Sequence, residues 1–126
     1  SKNKLCQIFL VFLTTEDKRL KAIARYSSGY IYYVSLKGIT GSSLLSYQPI
    51  KKRISRIKKL SNNKIPITVG FGIKTPEAAR KISMFCDGII IGSSIVELID
   101  KNRKNKALMH KKINNFVKSV KSSLVN

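Results

Sequence analysis

Acidic residues are scarce in this chain: six Asp and Glu stand against 25 Lys and Arg, a formal net charge of +19 over 126 residues. Tryptophan is absent, cysteine occurs twice, proline three times and glycine seven times. So little Gly and Pro, beside 43% hydrophobic residues, excludes a disordered or low-complexity polypeptide. Long apolar runs are missing too. The longest unbroken aliphatic and aromatic stretch goes from Ile8 to Leu13, far short of the roughly 20 residues a membrane-crossing helix needs. The first residue is Ser1 and no basic-then-apolar leader follows, so secretion is not expected. Cys6 and Cys86 lie in apolar settings without metal-ligand spacing and read as reduced core thiols of a cytoplasmic protein. The lone histidine, His110, falls in a polar stretch and is expected in solvent. Without a usable histidine no Ser or Cys triad can be assembled, and no cluster of metal ligands exists.

What the chain has in excess is lysine. A field of this sign attracts nucleic acid, anionic membranes or phosphorylated substrates. The 19 Lys outnumber 6 Arg, however, and accompany 17 Ile and 8 Asn, all residues with AT-rich codons. Nucleic-acid interfaces favour the bidentate fork of Arg, and aromatics do not interleave with the basic runs here. The charge reads mainly as the mark of an AT-rich genome.

Two textures alternate along the chain, with no linker between domains. Residues 5–11, 30–35, 65–69 and 88–91 are short runs apolar on both faces, as in parallel strands covered by helices. Between them lie segments of helical period. Residues 16–26 follow Thr14 and Thr15 as candidate N-caps and align Leu20, Ile23 and Ala24. Residues 50–60 follow Pro49 and align Ile50, Ile54, Ile57 and Leu60. Residues 76–85 open with a cap, an N1 proline and a first-turn acid, Thr75-Pro76-Glu77. Helices are also expected over 94–101 and about 106–123, the last with Leu108, Ile113, Phe116, Val117 and Val120 inward. The order β-α-β-α-β-α-β-α-α means a parallel α/β sheet of four β/α units. An open doubly wound sheet and part of a (β/α)8 barrel both satisfy it, and 126 residues is half the usual barrel length of about 250.

In either fold a ligand sits at the carboxyl ends of the strands. Gly38-Ile39-Thr40-Gly41 follows strand two, with the small polar residues of a mobile loop. Gly70-Phe71-Gly72-Ile73 follows strand three, and Gly92-Ser93-Ser94 follows strand four and opens a helix. Glycines let the backbone approach an anion, and a helix N-terminus offers free amides to phosphate. Two such turns on neighbouring strands make a phosphate cradle, although Ser93 and Ser94 also read as plain helix caps. The acids lie elsewhere: Glu16, Asp17 and Glu77 open helices, Asp87 precedes strand four, and Glu97 and Asp100 sit within a helix. The chain holds a binding half without an acid–base pair.

Three blocks then stand in order: Gly29-Tyr30-Ile31-Tyr32-Tyr33-Val34-Ser35 with Gly38-Ile39-Thr40-Gly41; Pro66-Ile67-Thr68-Val69-Gly70-Phe71-Gly72-Ile73; and Asp87-Gly88-Ile89-Ile90-Ile91-Gly92-Ser93-Ser94-Ile95-Val96. Together they resemble strands six, seven and eight, with their loops, of the tryptophan synthase alpha chain family, over essentially the whole of residues 1–126 and most weakly over 1–15. The resemblance implies a (β/α)8 TIM barrel of which this chain is the C-terminal half, strands five to eight, with the N-terminal half absent. It implies a lyase of tryptophan biosynthesis that cleaves indole-3-glycerol phosphate by a retro-aldol reaction to indole and glyceraldehyde 3-phosphate. It also implies a beta chain partner, in a two-alpha, two-beta assembly, that carries the pyridoxal phosphate. No cofactor, metal, nucleic acid or membrane is implied for this chain itself.

By the same resemblance Gly41, Gly72, Gly92 and Ser93 hold the substrate phosphate, Tyr32, Gly70 and Phe71 line the substrate, and Thr40 closes the loop. The family's catalytic glutamate and aspartate belong to the first half of the barrel and have no counterpart here. Two departures stand out. Leu36-Lys37 replaces an arginine that some members carry after strand six, and Phe12-Leu13 replaces a small residue and a proline after strand five. Another phosphate-binding barrel of histidine or tryptophan biosynthesis lacks the Gly-Ile-Thr-Gly loop. A small basic nucleic-acid-binding protein is the alternative of a different class. Half a barrel would leave Leu5–Val11 and Gly88–Ile91 as unpaired apolar edges, so the chain alone is expected to be poorly soluble or dimeric, and inactive.

Overall fold

A computed structural model of the protein describes residues 3–35, 47–70 and 72–125. The elements follow in the order β1 (Phe9–Val11), α1 (Asp17–Tyr26), β2 (Ile31–Val34), α2 (Gln48–Leu60), β3 (Ile67–Gly70), α3 (Pro76–Ser83), β4 (Gly88–Ile90), α4 (Ser93–Lys101) and α5 (Lys106–Ser123). The four strands form one parallel sheet in sequential order. Among the described residues no helix is long and apolar enough to cross a membrane.

Burial along the strands decides between the two architectures. Val11, Ile31, Tyr33, Ile67 and Val69 alternate onto one face of the sheet, each at most 1% exposed. They pack in one core with Leu20 and Ile23 of α1, Ile50, Ile54 and Ile57 of α2, and Ala79 and Ile82 of α3. The opposite face carries Leu10, Tyr32, Val34, Thr68, Gly70, Gly88 and Ile90. Leu10 is 49% exposed there, and Tyr32, Val34, Thr68 and Ile90 are half-buried. A doubly wound sheet buries both faces under helices. Here the helices cover one face only, the arrangement of half a (β/α)8 barrel whose other face is the barrel interior.

Local chemistry sets the element ends. Thr75 caps α3 by accepting from Ala78 N–H at 3.2 Å, with Pro76 in the first turn. Thr15 does not cap α1. Glu16 holds the N-cap position without a side-chain bond, and Thr15 Oγ1 accepts from Phe12 N–H at 2.9 Å, folding the loop after β1 instead. Pro49 lies inside the first turn of α2, which therefore starts two residues earlier than its apolar stripe. Asp87 joins the amino ends of two strands: its carboxylate accepts from Ile67 N–H at 2.9 Å, while its own N–H donates to Ile67 C=O at 2.9 Å.

Three expectations need correction. Residues 5–8 do not extend β1. Gln7 N–H donates to Ser28 Oγ at 3.2 Å, and an added Cβ at Gly29, at φ +86°, would stand 3.0 Å from Cys6 Cβ. This segment packs against the turn before β2, where the neighbouring strand has not begun, so it has no ladder to join. Cys6 is consequently exposed and is not a core thiol, whereas Cys86 is buried. Leu108 and Val117 of α5 are exposed rather than inward, because only one side of that helix meets α3 and α4, and Val120 is its buried contact.

Two predictions follow from this packing. Burial pushes the Cys86 thiol up to about 11, so at pH 8 it stays protonated and unreactive. A thiol reagent should therefore label Cys6 fast and Cys86 only on unfolding; two fast thiols in a stopped-flow trace would contradict the fold. The second concerns Gly70, where an added Cβ would fall on the Tyr32 ring, 2.8 Å from Cζ. Gly70→Ala should cost about 1 kcal/mol, the low end for overpacking, since the half-buried ring can swing aside. In a Tyr32→Ala background the cost should vanish, and urea unfolding of the four variants measures that coupling.

Candidate phosphate-binding site

The carboxyl ends of β3 and β4 set the site. Gly70 pairs with Ile90 in the parallel ladder, so Gly72 and Gly92, each two residues further on, leave neighbouring strands at the same height. Both are exposed, and an added Cβ at either would find nothing within 4 Å. The backbone at these two turns is bare and faces open space, which is what close approach of a tetrahedral anion requires.

Helix α4 begins immediately after the second turn. Gly92 is its N-cap and contributes no side-chain bond, and no acid occupies the first turn. Ile95 and Val96 N–H already donate to Gly92 C=O, each at 3.0 Å; the Ser93 and Ser94 amides precede the first intrahelical acceptor, and the helix dipole adds a partial positive charge there. Neither serine caps the helix, contrary to the plainer sequence reading. Ser93 is the first residue of the helix and is exposed. Ser94 is buried and donates its hydroxyl to Ile73 C=O at 2.7 Å. That bond ties the start of α4 to the loop carrying Gly72. Sequence reasoning did not find this clamp, since a serine in a first turn is ordinarily a cap.

On the inner face Tyr32 stands in register with Thr68, two residues before the Val34–Gly70 pair. Its ring leans up across Gly70. The missing side chain of Gly70 therefore makes room for Tyr32 rather than for a ligand directly, and the two form one surface beneath the glycine turns. Thr68 Oγ1 donates to Ile31 C=O at 3.3 Å and is spent on the sheet. Thr40 and Gly41, with the rest of the loop over 36–46, and Phe71 lie outside the described residues.

The acids have structural work. Asp17 accepts from Arg56 at 2.8 Å and faces Arg53 at 3.9 Å, joining α1 to α2. The hydrogen bond from Arg56 and the nearby positive charges hold its carboxyl below the usual carboxylate range. Lys74 meets Glu97 at 3.9 Å, Arg103 meets Asp100 at 3.2 Å, and Lys58 meets Asp87 at 3.7 Å. Among the described residues no three His, Cys, Asp or Glu come together as a metal site. Six of the 25 basic residues lie on α2, where two open grooves of 330 and 310 Å³ share Lys52 and Arg56. Neither groove presents an aromatic ring on which a base could stack.

Comparison with known proteins agrees with this arrangement of turns and strands. The family described as Tryptophan synthase alpha chain matches residues 1–125. A tryptophan synthase alpha chain of Petrotoga mobilis is 39% identical over 120 residues, covering 95% of this chain and 46% of the relative. One from Ruthia magnifica is 44% identical over 103 residues, covering 80% and 38%. The solved tryptophan synthase subunit alpha of Legionella pneumophila superposes with a TM-score of 0.78 at 32% identity, over 98% of this chain and 44% of that one. The chain thus spans less than half the length of the relatives it matches. With open glycine turns after the third and fourth of its parallel strands, it belongs to the tryptophan synthase alpha chain family.

Proposed function

We propose that this chain is the carboxy-terminal part, β/α units five to eight, of a tryptophan synthase alpha chain. The activity is that of a cytoplasmic lyase in tryptophan biosynthesis, splitting indole-3-glycerol phosphate into indole and glyceraldehyde 3-phosphate. One observation carries the reading: two bare glycine turns, at Gly72 and Gly92, stand side by side at the strand ends next to the unblocked N-terminus of α4.

In this reading the substrate phosphate sits against the amides of Gly72, Gly92 and Ser93, with the Ser93 hydroxyl beside it and Gly41 closing from the loop after β2. Tyr32, lodged over Gly70, and Phe71 border the indole end, and Thr40 closes over the site. Anchoring the phosphate fixes where the scissile carbon–carbon bond lies, which is the positional share of catalysis. The bond itself breaks only with a proton acceptor and a proton donor in place. These come from the amino-terminal half of the barrel, so the 126 residues alone bind but do not cleave. The step needs no cofactor; the pyridoxal phosphate belongs to the beta chain, which takes up the indole in a two-alpha, two-beta assembly.

The test is a single-chain chimera that places these 126 residues after the amino-terminal half of the Petrotoga mobilis relative. It should release indole from indole-3-glycerol phosphate. Gly72→Asp or Gly92→Asp should each raise KM by at least about tenfold, because a carboxylate then meets the phosphate where only amides stood. Unchanged KM in both variants would refute the cradle.

A further inference from the structure

Five polar side chains are buried among the described residues: Ser27, Ser61, Ser83, Ser94 and Asn102. Four of them donate to a carbonyl three or four residues earlier, in the helix they belong to or end. Such bonds are local, and any helix can supply them. Ser94 alone donates across the fold, to Ile73 C=O, 21 residues away in sequence and 2.7 Å away in space. The two ends of this bond belong to the two halves of the phosphate cradle. Ile73 follows Gly72 directly, and Ser94 stands two residues after Gly92.

The bond settles where a carbonyl goes. Ile73 is 2% exposed, so its C=O needs a partner inside the protein. The amino end of α4 lies beside it, and there the Ser93 and Ser94 amides precede the first intrahelical acceptor. A carbonyl turned onto those amides would cap the helix and occupy the donors that a phosphate requires. The Ser94 hydroxyl takes up the carbonyl instead. A second link spans the same gap, because Lys74 meets Glu97 at 3.9 Å, but both side chains are more than half exposed. Water and salt weaken such a pair, so the buried hydroxyl carries the connection.

We propose that Ser94 is a positioning residue for substrate: its hydroxyl fixes the spacing of the two glycine turns and keeps the Ile73 carbonyl off the α4 amides. The proposal rests on the phosphate-binding reading above and adds to it a side chain that acts without touching the substrate. In that reading the proton acceptor and donor for cleavage lie outside these residues. Loss of the hydroxyl should therefore act on KM and spare kcat.

The experiment uses the single-chain chimera. Ser94→Ala should raise KM for indole-3-glycerol phosphate about fivefold, the share of one buried hydrogen bond, with kcat unchanged. Its affinity for inorganic phosphate, measured by calorimetry without turnover, should fall by the same factor. Ser94→Thr keeps the donor and should retain the parent KM. Ser27→Ala removes a comparable buried bond, 2.6 Å long, before the amino end of β2. It should lower the urea midpoint as much as Ser94→Ala does and leave KM and phosphate affinity unchanged. If Ser94→Ala does not fold, Ser94→Cys, close to serine in size but a weak donor, gives the same comparison. Equal rises in KM for Ser27→Ala and Ser94→Ala overturn the proposal, since lost stability then accounts for both. A fall in kcat at constant KM overturns it too. A rise in KM for Gly72→Asp with none for Ser94→Ala overturns the positioning role alone, whereas no rise in either overturns the phosphate reading with it.

Discussion

One-sided burial governs this molecule. Four parallel strands present Val11, Ile31, Tyr33, Ile67, Val69 and the partly buried Ile89 to a single layer of helices, and nearly the whole core is built at that contact. Because successive strand residues point to opposite faces, the same residues that commit one face to the helices commit Leu10, Tyr32, Val34 and Ile90 to the other. Neither face can change without the other. The helix-side core holds the sheet, and the sheet in turn holds two loops side by side at its carboxyl end.

The site depends on that register more than on any side chain. Gly72 and Gly92 are far apart in sequence but level in space because Gly70 pairs with Ile90. The Ser94–Ile73 hydrogen bond then fastens the amino end of α4 to the loop that carries Gly72. A binding surface made of backbone amides suits a ligand whose charge is spread over several oxygens, and it asks for very little of the chain's lysine. The +19 charge is spread over the chain, with only six of the 25 basic residues on α2, and the six acids are spent at helix starts and on ion pairs.

Tyr32 and Gly70 show how an inner face is shaped where no helix covers it. The ring occupies the space a side chain at Gly70 would need, so one glycine serves the packing of its neighbour, while Gly72, two residues on, leaves the backbone bare. Read as a string, both are glycines of one short turn. Their different work appears only when β2 is laid beside β3.

Much of this was legible in the amino acids alone. Runs apolar on both faces marked the four strands; the isoleucines of residues 50–60 and the Thr75-Pro76-Glu77 start marked helices; glycines after the third and fourth strands marked the candidate turns. These signals are local, carried by side-chain periodicity and backbone freedom, and survive in any parallel α/β fold. What lay outside them was decided by neighbours in space. Residues 5–8 have strand composition but find no partner strand, because the turn at Ser28 and Gly29 stands where a ladder would be. Thr15 and Ser94 have the chemistry of caps but bond to Phe12 and Ile73. Cys6 and Cys86 look alike in sequence, yet one is in water and the other in the core. Composition determined which segments would be strands and helices. Only the tertiary structure decided which face of the sheet the helices would cover, and hence that the other face remains open, since that choice depends on how all four β/α units pack together.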